Sequence, residues 1–289
     1  MKPNSHSLFV SAPDGLRLHV RICGAHRDGK QPVVCLPGLS RNGSDFEALA
    51  AALGNSRRVL SVDLRGRGLS EYDSNPANYS LPVELGDVTA ILTALEAEPA
   101  VFVGTSRGGI LTMLLAALRP GTIAGAVLND IGPVIENKGV MRIKGYVGKL
   151  PRPRSIEEGA EILRRLSGAQ FTRFTPDDWI AEARRLWRTE DGQLVLSYDP
   201  ALSKTLQEAD LERPLPALWA QFDALPEVPL MVIRGEYSDL LSADTVKAMK
   251  VRRPGLVLVE AQGEGHAPRL EGPLIDDIAA LVARCDRAS

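Results

Sequence analysis

Residues 100–109, Ala-Val-Phe-Val-Gly-Thr-Ser-Arg-Gly-Gly, decide the fold. The apolar run 100–103 leads into a G-x-S-x-G motif centred on Ser106, and a helical pattern of apolar residues begins directly after it. A strand that turns into a helix this sharply needs small residues two positions before and after the serine, which Gly104 and Gly108 provide. The stretch therefore predicts a nucleophile elbow, with the serine hydroxyl held at a strand end and a helix N-terminus.

Short apolar runs of the same kind recur along the chain and alternate with helical patterns. They cover residues 32–36, 59–64, 123–128, 230–233 and 256–259. Such continuous runs indicate strands buried on both faces of a mostly parallel sheet. Two further runs, 7–10 and 16–22, flank the turn dipeptide Asp14-Gly15 and predict an antiparallel hairpin. Helical spacing is clearest at 80–98, at 110–117 and from Pro273 onward. The sequence predicts an α/β fold with about eight strands and flanking helices.

Residues 131–225 interrupt this alternation with helical patterns and many prolines. We interpret them as an inserted helical cap, or lid, on a core domain made of residues 1–130 and 226–289. The cap holds three tryptophans, which are expected to form its small core rather than to line a substrate pocket: Trp179, Trp187 and Trp219. Between residues 138 and 173 the sequence contains nine Lys and Arg residues and only three acidic residues. A solvated helical face is the simpler interpretation, and an anionic substrate or partner is the alternative.

Composition excludes several classes of function. The 289 residues carry 34 Lys and Arg against 36 Asp and Glu, a formal charge of −2, which gives no field to hold nucleic acid or an anionic membrane. No charged leader precedes an apolar stretch, and no run approaches 18 apolar residues. No metal-ligand spacing is found among the three cysteines, which are Cys23, Cys35 and Cys285. We expect a cytoplasmic protein with no cofactor and no metal.

A serine nucleophile requires a base, and the chain offers four histidines. Three of them lie in or beside the predicted N-terminal hairpin: His6, His19 and His26. His266 instead follows the last predicted strand, in Gly-Glu-Gly-His-Ala-Pro, at the sheet edge where Ser106 is expected. We therefore predict that His266 is the base.

The acid that orients the imidazole should fall between the serine and the histidine in this topology. Asp239 is favoured, because it follows the run 230–233 at the same sheet edge, and Glu236 and Asp244 are weaker neighbours. Asp130, which ends the run 123–128, is a rival.

An acyl-transfer site also needs backbone amides directed at the oxyanion. Arg107, directly after the serine, supplies one, and Leu39 in the loop after the first parallel strand is expected to supply the other. The side chains of Arg41, Asn42 and Arg107 either meet the substrate or have structural roles.

These motifs resemble those of α/β-hydrolase fold serine hydrolases with a helical cap, of the esterase and lactonase group, over nearly the whole chain. Pro37-Gly38-Leu39 resembles the oxyanion loop, with proline where the family usually has histidine, and residues 63–70 match the D-x-R-G-x-G-x-S turn. The loop Gly-Glu-Tyr-Ser-Asp at 235–239 resembles the acid loop but has one residue more than the usual G-x-x-D. The resemblance implies a triad of Ser106, Asp239 and His266 with Leu39 and Arg107 as the oxyanion hole.

Hydrolysis of a small carboxylic ester or lactone through an acyl-enzyme is the function we expect. Serine rather than aspartate at the elbow argues against the dehalogenases and epoxide hydrolases of the resembling group. Carbon–carbon bond hydrolase, amidase, acyltransferase and cofactor-free haloperoxidase are alternatives on the same fold, and a non-catalytic small-molecule receptor is the alternative outside enzymes.

Overall fold

The computed structural model describes residues 4–207 and 212–286. In those residues one sheet contains eight strands, as the sequence predicts, and two more strands form a separate hairpin. The strands are β1 Ser5–Ser11, β2 Arg17–Cys23, β3 Val33–Leu36, β4 Val59–Val62, β5 Ala100–Thr105, β6 Ile123–Asn129, β7 Trp187–Glu190, β8 Gln193–Leu196, β9 Leu230–Gly235 and β10 Val257–Ala261.

The main sheet has the order β1-β2-β4-β3-β5-β6-β9-β10. The predicted hairpin of β1 and β2 is confirmed, and β2 also runs antiparallel to β4, while all later pairs are parallel. Because β5 and β6 are central parallel strands, their carboxyl ends meet at one edge of the sheet. Ser106, Asp130 and the loop after β3 all lie at that edge.

Helices cover both faces of the sheet, and others lie in the long segment between β6 and β9. They are α1 Glu47–Leu53, α2 Leu81–Ala94, α3 Arg107–Leu118, α4 Asn137–Tyr146, α5 Ile156–Ser167, α6 Pro176–Leu186, α7 Lys204–Gln207, α8 Trp219–Asp223, α9 Ala243–Arg252 and α10 Pro273–Arg284. Alternate residues of β5 belong to different cores: Phe102 packs with α2 and α3, and Val103 packs with α1 and α10. Successive side chains of a strand point to opposite faces of the sheet. Because both faces are buried here, the strand sequences are continuous apolar runs.

Residues 131–225, which we call the cap segment, contain α4 to α8 and also the hairpin of β7 and β8. The cap segment therefore contains a β-hairpin in addition to the helices that the sequence predicts. Asp191 and Gly192 both have positive φ at the hairpin turn, so an Asp-Gly dipeptide sets this chain reversal. Trp187 stands at helical spacing from Trp179 in the sequence but begins β7 in the structure.

The three tryptophans have different surroundings. Trp179 and Trp187 are buried in one apolar cluster of the cap segment, as expected. Trp219 does not join that cluster, because α8 packs against α3 and the core of the main sheet. The Arg252 guanidinium lies 4.3 Å from the centre of the Trp219 ring.

Candidate active site

Ser106 lies in the turn between β5 and α3 with φ of +50° and ψ of −114°, a strained conformation for a residue with a side chain. Its backbone N–H donates to the Asn129 carbonyl at 3.0 Å, which ties the turn to the end of β6. A Cβ on Gly104 would lie 2.6 Å from the backbone of Gly108, and a Cβ on Gly108 would collide with the Leu36 carbonyl. Only glycine fits at both positions, so the local sequence builds the predicted elbow.

The imidazole of His266 contacts both Ser106 and Asp130. Its Nε2 lies 2.9 Å from Ser106 Oγ, and its Nδ1 lies 2.8 Å from Asp130 Oδ2. The Asp130 side chain is fully buried and that of His266 is nearly so. The structure thus brings Ser106 and His266 together, as the sequence predicts, and supplies a carboxylate on the opposite nitrogen.

That carboxylate is Asp130, and the structure does not place Asp239, the acid that the sequence favours, in hydrogen-bond contact with His266. Asp239 accepts two hydrogen bonds from Arg142, at 2.7 and 2.8 Å. Burial opposes ionisation of Asp239, but this pairing holds its pKa below the usual range. Glu236 and Asp244 do not contact His266 either: Glu236 accepts from the Gly263 amide, and Asp244 pairs with Lys247 on the surface.

Asp130 is held by two further donors. The Gly235 amide donates to Oδ1 at 2.8 Å, and the Ser238 hydroxyl donates to Oδ2 at 2.7 Å. Ser238 Oγ itself accepts the amides of Leu240 and Leu241. Ser238 stands where the G-x-x-D pattern of the resembling family has its aspartate, because the loop begins at Gly235. At that place the chain carries a hydroxyl that orients an acid from the neighbouring strand.

The loop after β3 approaches the elbow closely. A Cβ on Gly38 would lie 3.7 Å from the Ser106 Cβ and 3.6 Å from the Arg41 Cγ. Arg107 is the first residue of α3, so its amide has no acceptor within the helix. The two candidate oxyanion residues, Leu39 and Arg107, therefore flank Ser106.

Both of these residues are fixed by Glu84, which is fully buried on α2. Its Oε1 accepts from Arg67 at 2.6 Å, and its Oε2 accepts from the Arg107 side chain at 2.5 Å. Arg67 Nε in turn donates to the Leu39 carbonyl at 2.8 Å. Burial favours a neutral Glu84, but the two guanidinium groups hold its pKa below the ordinary value. The sequence left open whether the Arg107 side chain meets the substrate or has a structural role. The structure shows the structural role, because this side chain is bonded to Glu84.

A pocket lies above the serine, between the sheet edge and the cap segment. Ser106, His266 and Leu39 line it from the main sheet, and the cap segment contributes a largely apolar wall that includes Leu163, Leu166, Phe171, Phe174 and Trp179. Trp179 therefore belongs both to the cluster of the cap segment and to the pocket wall, so the two interpretations of the tryptophans are not exclusive.

Arg41 and Asn42 have different positions. Arg41 lines the pocket and pairs with Asp45 and Glu182. Asn42 lies outside the pocket lining, where its side chain accepts the Ser44 amide and donates to the Arg185 carbonyl across to α6.

A second chain of serine, histidine and aspartate lies away from this pocket. His19 Nδ1 is 2.8 Å from Asp63 Oδ2, and His19 Nε2 is 2.9 Å from Ser7 Oγ. Ser7, however, lies in the extended strand β1 rather than on an elbow. Asp63 accepts the Gly43 and Leu69 amides as well, so it joins two loops. We interpret this group as structural.

Two negative findings apply to residues 4–207 and 212–286. No helix there has the length and apolar character needed to cross a bilayer, and no cluster of three or more His, Cys, Asp or Glu side chains is arranged to hold a metal ion.

The eight-stranded sheet, the elbow and the cap segment together define a hydrolase of the α/β type. The chain belongs to the alpha/beta hydrolase family, whose model matches residues 33–282. It is 36% identical to the 3-hydroxybutyrate-oligomer hydrolase of Cupriavidus necator over 83% of this chain and 84% of that protein. It is 33% identical to Esterase YbfF of Escherichia coli over 41% of this chain and 46% of that protein.

A solved structure agrees over nearly the whole length. The alpha/beta hydrolase from Novosphingobium aromaticivorans DSM 12444 superposes with a TM-score of 0.89 at 40% identity, covering 98% of this chain and 100% of that one. The expected fold class is therefore confirmed.

Proposed function

We propose that this protein is a serine hydrolase that cleaves a small carboxylic ester or lactone through an acyl-enzyme intermediate. The observation that carries the proposal is the continuous pair of hydrogen bonds from Asp130 through His266 to Ser106, on an elbow at the floor of a pocket. The relative named as a 3-hydroxybutyrate-oligomer hydrolase and the one named as an esterase support it.

The residues act in the following way. Ser106 Oγ attacks the carbonyl carbon while His266 Nε2 takes the hydroxyl proton, and Asp130 keeps Nδ1–H oriented and stabilises the imidazolium. The amides of Leu39 and Arg107 stabilise the tetrahedral oxyanion. When the intermediate collapses, the carbon–oxygen bond breaks, and His266 gives its proton to the leaving alcohol. Water then attacks the acyl-enzyme with His266 as the base, which releases the acid and restores Ser106.

The cap segment functions in this scheme as a second domain, residues 131–225, on a core of residues 1–130 and 226–289. Its side chains form much of the pocket wall, including the aromatic Phe171, Phe174 and Trp179. A wall contributed by an insertion rather than by the sheet is expected to select the acyl or alcohol group while leaving the chemistry unchanged.

The decisive experiment combines labelling with turnover. A fluorophosphonate probe should label the purified protein at Ser106, and incubation with a slow ester substrate should leave an acyl adduct on the same peptide, detected by mass spectrometry. Short linear oligomers of 3-hydroxybutyrate are the first natural-type substrates to test, because a curated relative is named for them. Absence of both the label and turnover across esters and lactones would refute the proposal.

A further inference from the structure

Arg41 and Arg142 are two of the arginines that line the pocket of the candidate nucleophile. Arg41 comes from the loop after β3, and Arg142 comes from α4 of the cap segment. The stem of Arg41 is close to the elbow, since a Cβ on Gly38 would touch both Arg41 Cγ and Ser106 Cβ. Arg142 is hydrogen-bonded to Asp239, whose neighbour Ser238 donates to Asp130. Both arginines therefore line the same pocket as Ser106 and His266.

Each guanidinium is held by protein carboxylates through one part of its fork. Arg41 uses Nε and Nη2 for Asp45 and Glu182. Arg142 uses Nε and Nη2 for Asp239. Since a guanidinium carries five N–H donors, these pairs fix the orientation of each group and leave Nη1 available.

The two arginine side chains are partly exposed, to 24% for Arg41 and 20% for Arg142. Within residues 4–207 and 212–286, Arg41 Nη1 donates no hydrogen bond to the protein. Tyr146, from the same helix as Arg142, also lines the pocket. The pocket that contains Ser106 is thus lined by three side chains with hydrogen-bond donors: Arg41, Arg142 and Tyr146.

The pocket lining contains more arginines than carboxylates. Among the described residues that line the pocket, four arginines accompany only two carboxylates: Arg41, Arg142, Arg185 and Arg269 with Asp45 and Glu182. The balancing carboxylates are Asp239 on Arg142, Asp178 on Arg269 and Glu271 on Arg185. The lining residues alone therefore have two more arginines than carboxylates, and the other carboxylates that pair with these arginines lie outside the lining.

We propose that the pocket binds an ester that carries a free carboxylate, and that Arg41 and Arg142 hold this carboxylate while Ser106 attacks the ester carbonyl. Hydrogen bonds between charged partners are stronger than neutral ones, and the guanidinium fork suits a carboxylate. With a neutral ester bound, these guanidinium N–H groups would form hydrogen bonds with water instead of with a carboxylate. The apolar part of the wall, which includes Phe171 and Trp179, accommodates the hydrocarbon part of the same molecule.

This inference rests on the proposed ester hydrolysis, and its test separates the two. The probes are 3-butyryloxybutanoate and 3-butyryloxybutanamide, which share the scissile ester and chain length and differ in charge. Release of butyrate is measured for both. We expect the wild-type kcat/KM to be on the order of 10- to 100-fold higher for the carboxylate, the range that a hydrogen-bonded charge contributes.

Variants assign the preference to residues. Arg41→Gln and Arg142→Gln should each reduce the ratio of the two kcat/KM values toward one, and Arg142→Lys, which keeps the positive charge beside Asp239, should reduce it less. Arg165→Gln removes an equal charge from the exposed face of α5 and should leave the ratio unchanged. Labelling of Ser106 by a fluorophosphonate checks that each variant keeps its site.

The outcomes are distinct. Equal wild-type rates for the two esters would overturn the carboxylate inference and leave ester hydrolysis intact. A strong preference that survives both arginine-to-glutamine changes would overturn the assignment to Arg41 and Arg142. Failure to hydrolyse either ester, together with an unlabelled Ser106, would instead refute the proposed function itself.

Discussion

Asp130 Oδ2 lies 2.8 Å from His266 Nδ1, although Asp130 belongs to the strand that precedes the cap segment and His266 follows the last strand. The carboxyl end of β6 is adjacent to that of β5, which carries Ser106, so the acid and the serine come from neighbouring strands. The backbone of Asp130 has φ of +53°, a conformation that turns the chain out of the sheet directly after the acid.

The first prediction follows from this contact. Asp130→Asn should keep the packing but stabilise the wrong tautomer of His266, with a loss of about 10⁴ in kcat, as in the chymotrypsin example of this substitution. Asp239→Asn is the matched control and should lose much less, because Asp239 is bonded to Arg142. Single-turnover acylation measures both. A larger loss at Asp239 than at Asp130 would show that the acid moves to the imidazole from the other loop.

The second prediction uses the two serines that contact a histidine paired with an aspartate. Ser106→Ala should reduce kcat by about 10⁶, the effect of removing a triad nucleophile, and should abolish fluorophosphonate labelling. Ser7→Ala removes the hydroxyl beside His19 and should retain wild-type kinetics, since Ser7 lies in a strand without an elbow. Ester turnover within about tenfold of wild type in Ser106→Ala would exclude it as the nucleophile.

The third prediction concerns Ser238, which positions Asp130. Ser238→Ala removes a donor to the carboxylate that faces His266, so kcat should fall on the order of tenfold, the lower end of what a hydrogen bond to a charged group contributes, while KM changes little. Ser238→Thr keeps the hydroxyl and should restore the rate. If threonine fails to rescue kcat although both variants melt at the wild-type temperature, the hydroxyl is not the determinant.

The fourth prediction compares two tryptophans of the cap segment. Trp179 lines the pocket, so Trp179→Ala should change the ratio of kcat/KM between short and bulky acyl esters. Trp187 is buried in the same apolar cluster but outside the pocket lining, so Trp187→Ala should mainly reduce stability, by about 3–5 kcal/mol as for other buried tryptophans. Kinetics on a series of 4-nitrophenyl esters and urea unfolding separate these effects. Unchanged selectivity in Trp179→Ala would contradict the role of the pocket wall.

The fifth prediction concerns Glu84. Glu84→Gln leaves Arg67 and Arg107 without their buried counter-charge and should destabilise the protein by about 3–5 kcal/mol at pH 7, measured by urea unfolding. Because the pKa of Glu84 is lower in the folded protein, its stabilisation is complete above about pH 4.3, the ordinary value, and is lost as the pH falls through the folded-state pKa.

The stability difference between wild type and Glu84→Gln should therefore shrink below about pH 4.3. Glu190→Gln changes an exposed ion pair and serves as the control. A difference that stays constant down to pH 3 would mean that the charge of Glu84 is not what stabilises the site.

Most of the fold follows from local sequence signals. Buried parallel strands are continuous apolar runs, so the main strands could be read directly, and Gly104 and Gly108 identified the elbow because no other residue fits there. His266 followed from its place after the last strand. The sequence favours Asp239 over Asp130, whereas the structure places Asp130 on His266. Both residues follow strands that end at the same edge, and only side-chain direction separates them.

One signal in the sequence does distinguish the acids. The G-x-x-D pattern starting at Gly235 places Ser238 in the position of the acid, and the structure shows Ser238 donating to Asp130. The hairpin of β7 and β8 likewise has a local signal in Asp191-Gly192, which helical spacing around Trp179 and Trp187 obscured. The role of Arg142 depends on the fold alone, since its partner Asp239 is distant in sequence.

The position of the acid on β6 has a consequence for how this protein can diverge. Where one loop must both orient the imidazole and shape the pocket, a change that suits a new substrate endangers catalysis. Here the loop after β9 contributes the Ser238 hydroxyl to Asp130, and its neighbour Asp239 faces Arg142 on the cap segment. Arg142 and Asp239 could be exchanged together, for example for an apolar pair, while Asp130, His266 and Ser106 stay untouched, so substrate range is open to laboratory evolution independently of the reactive residues.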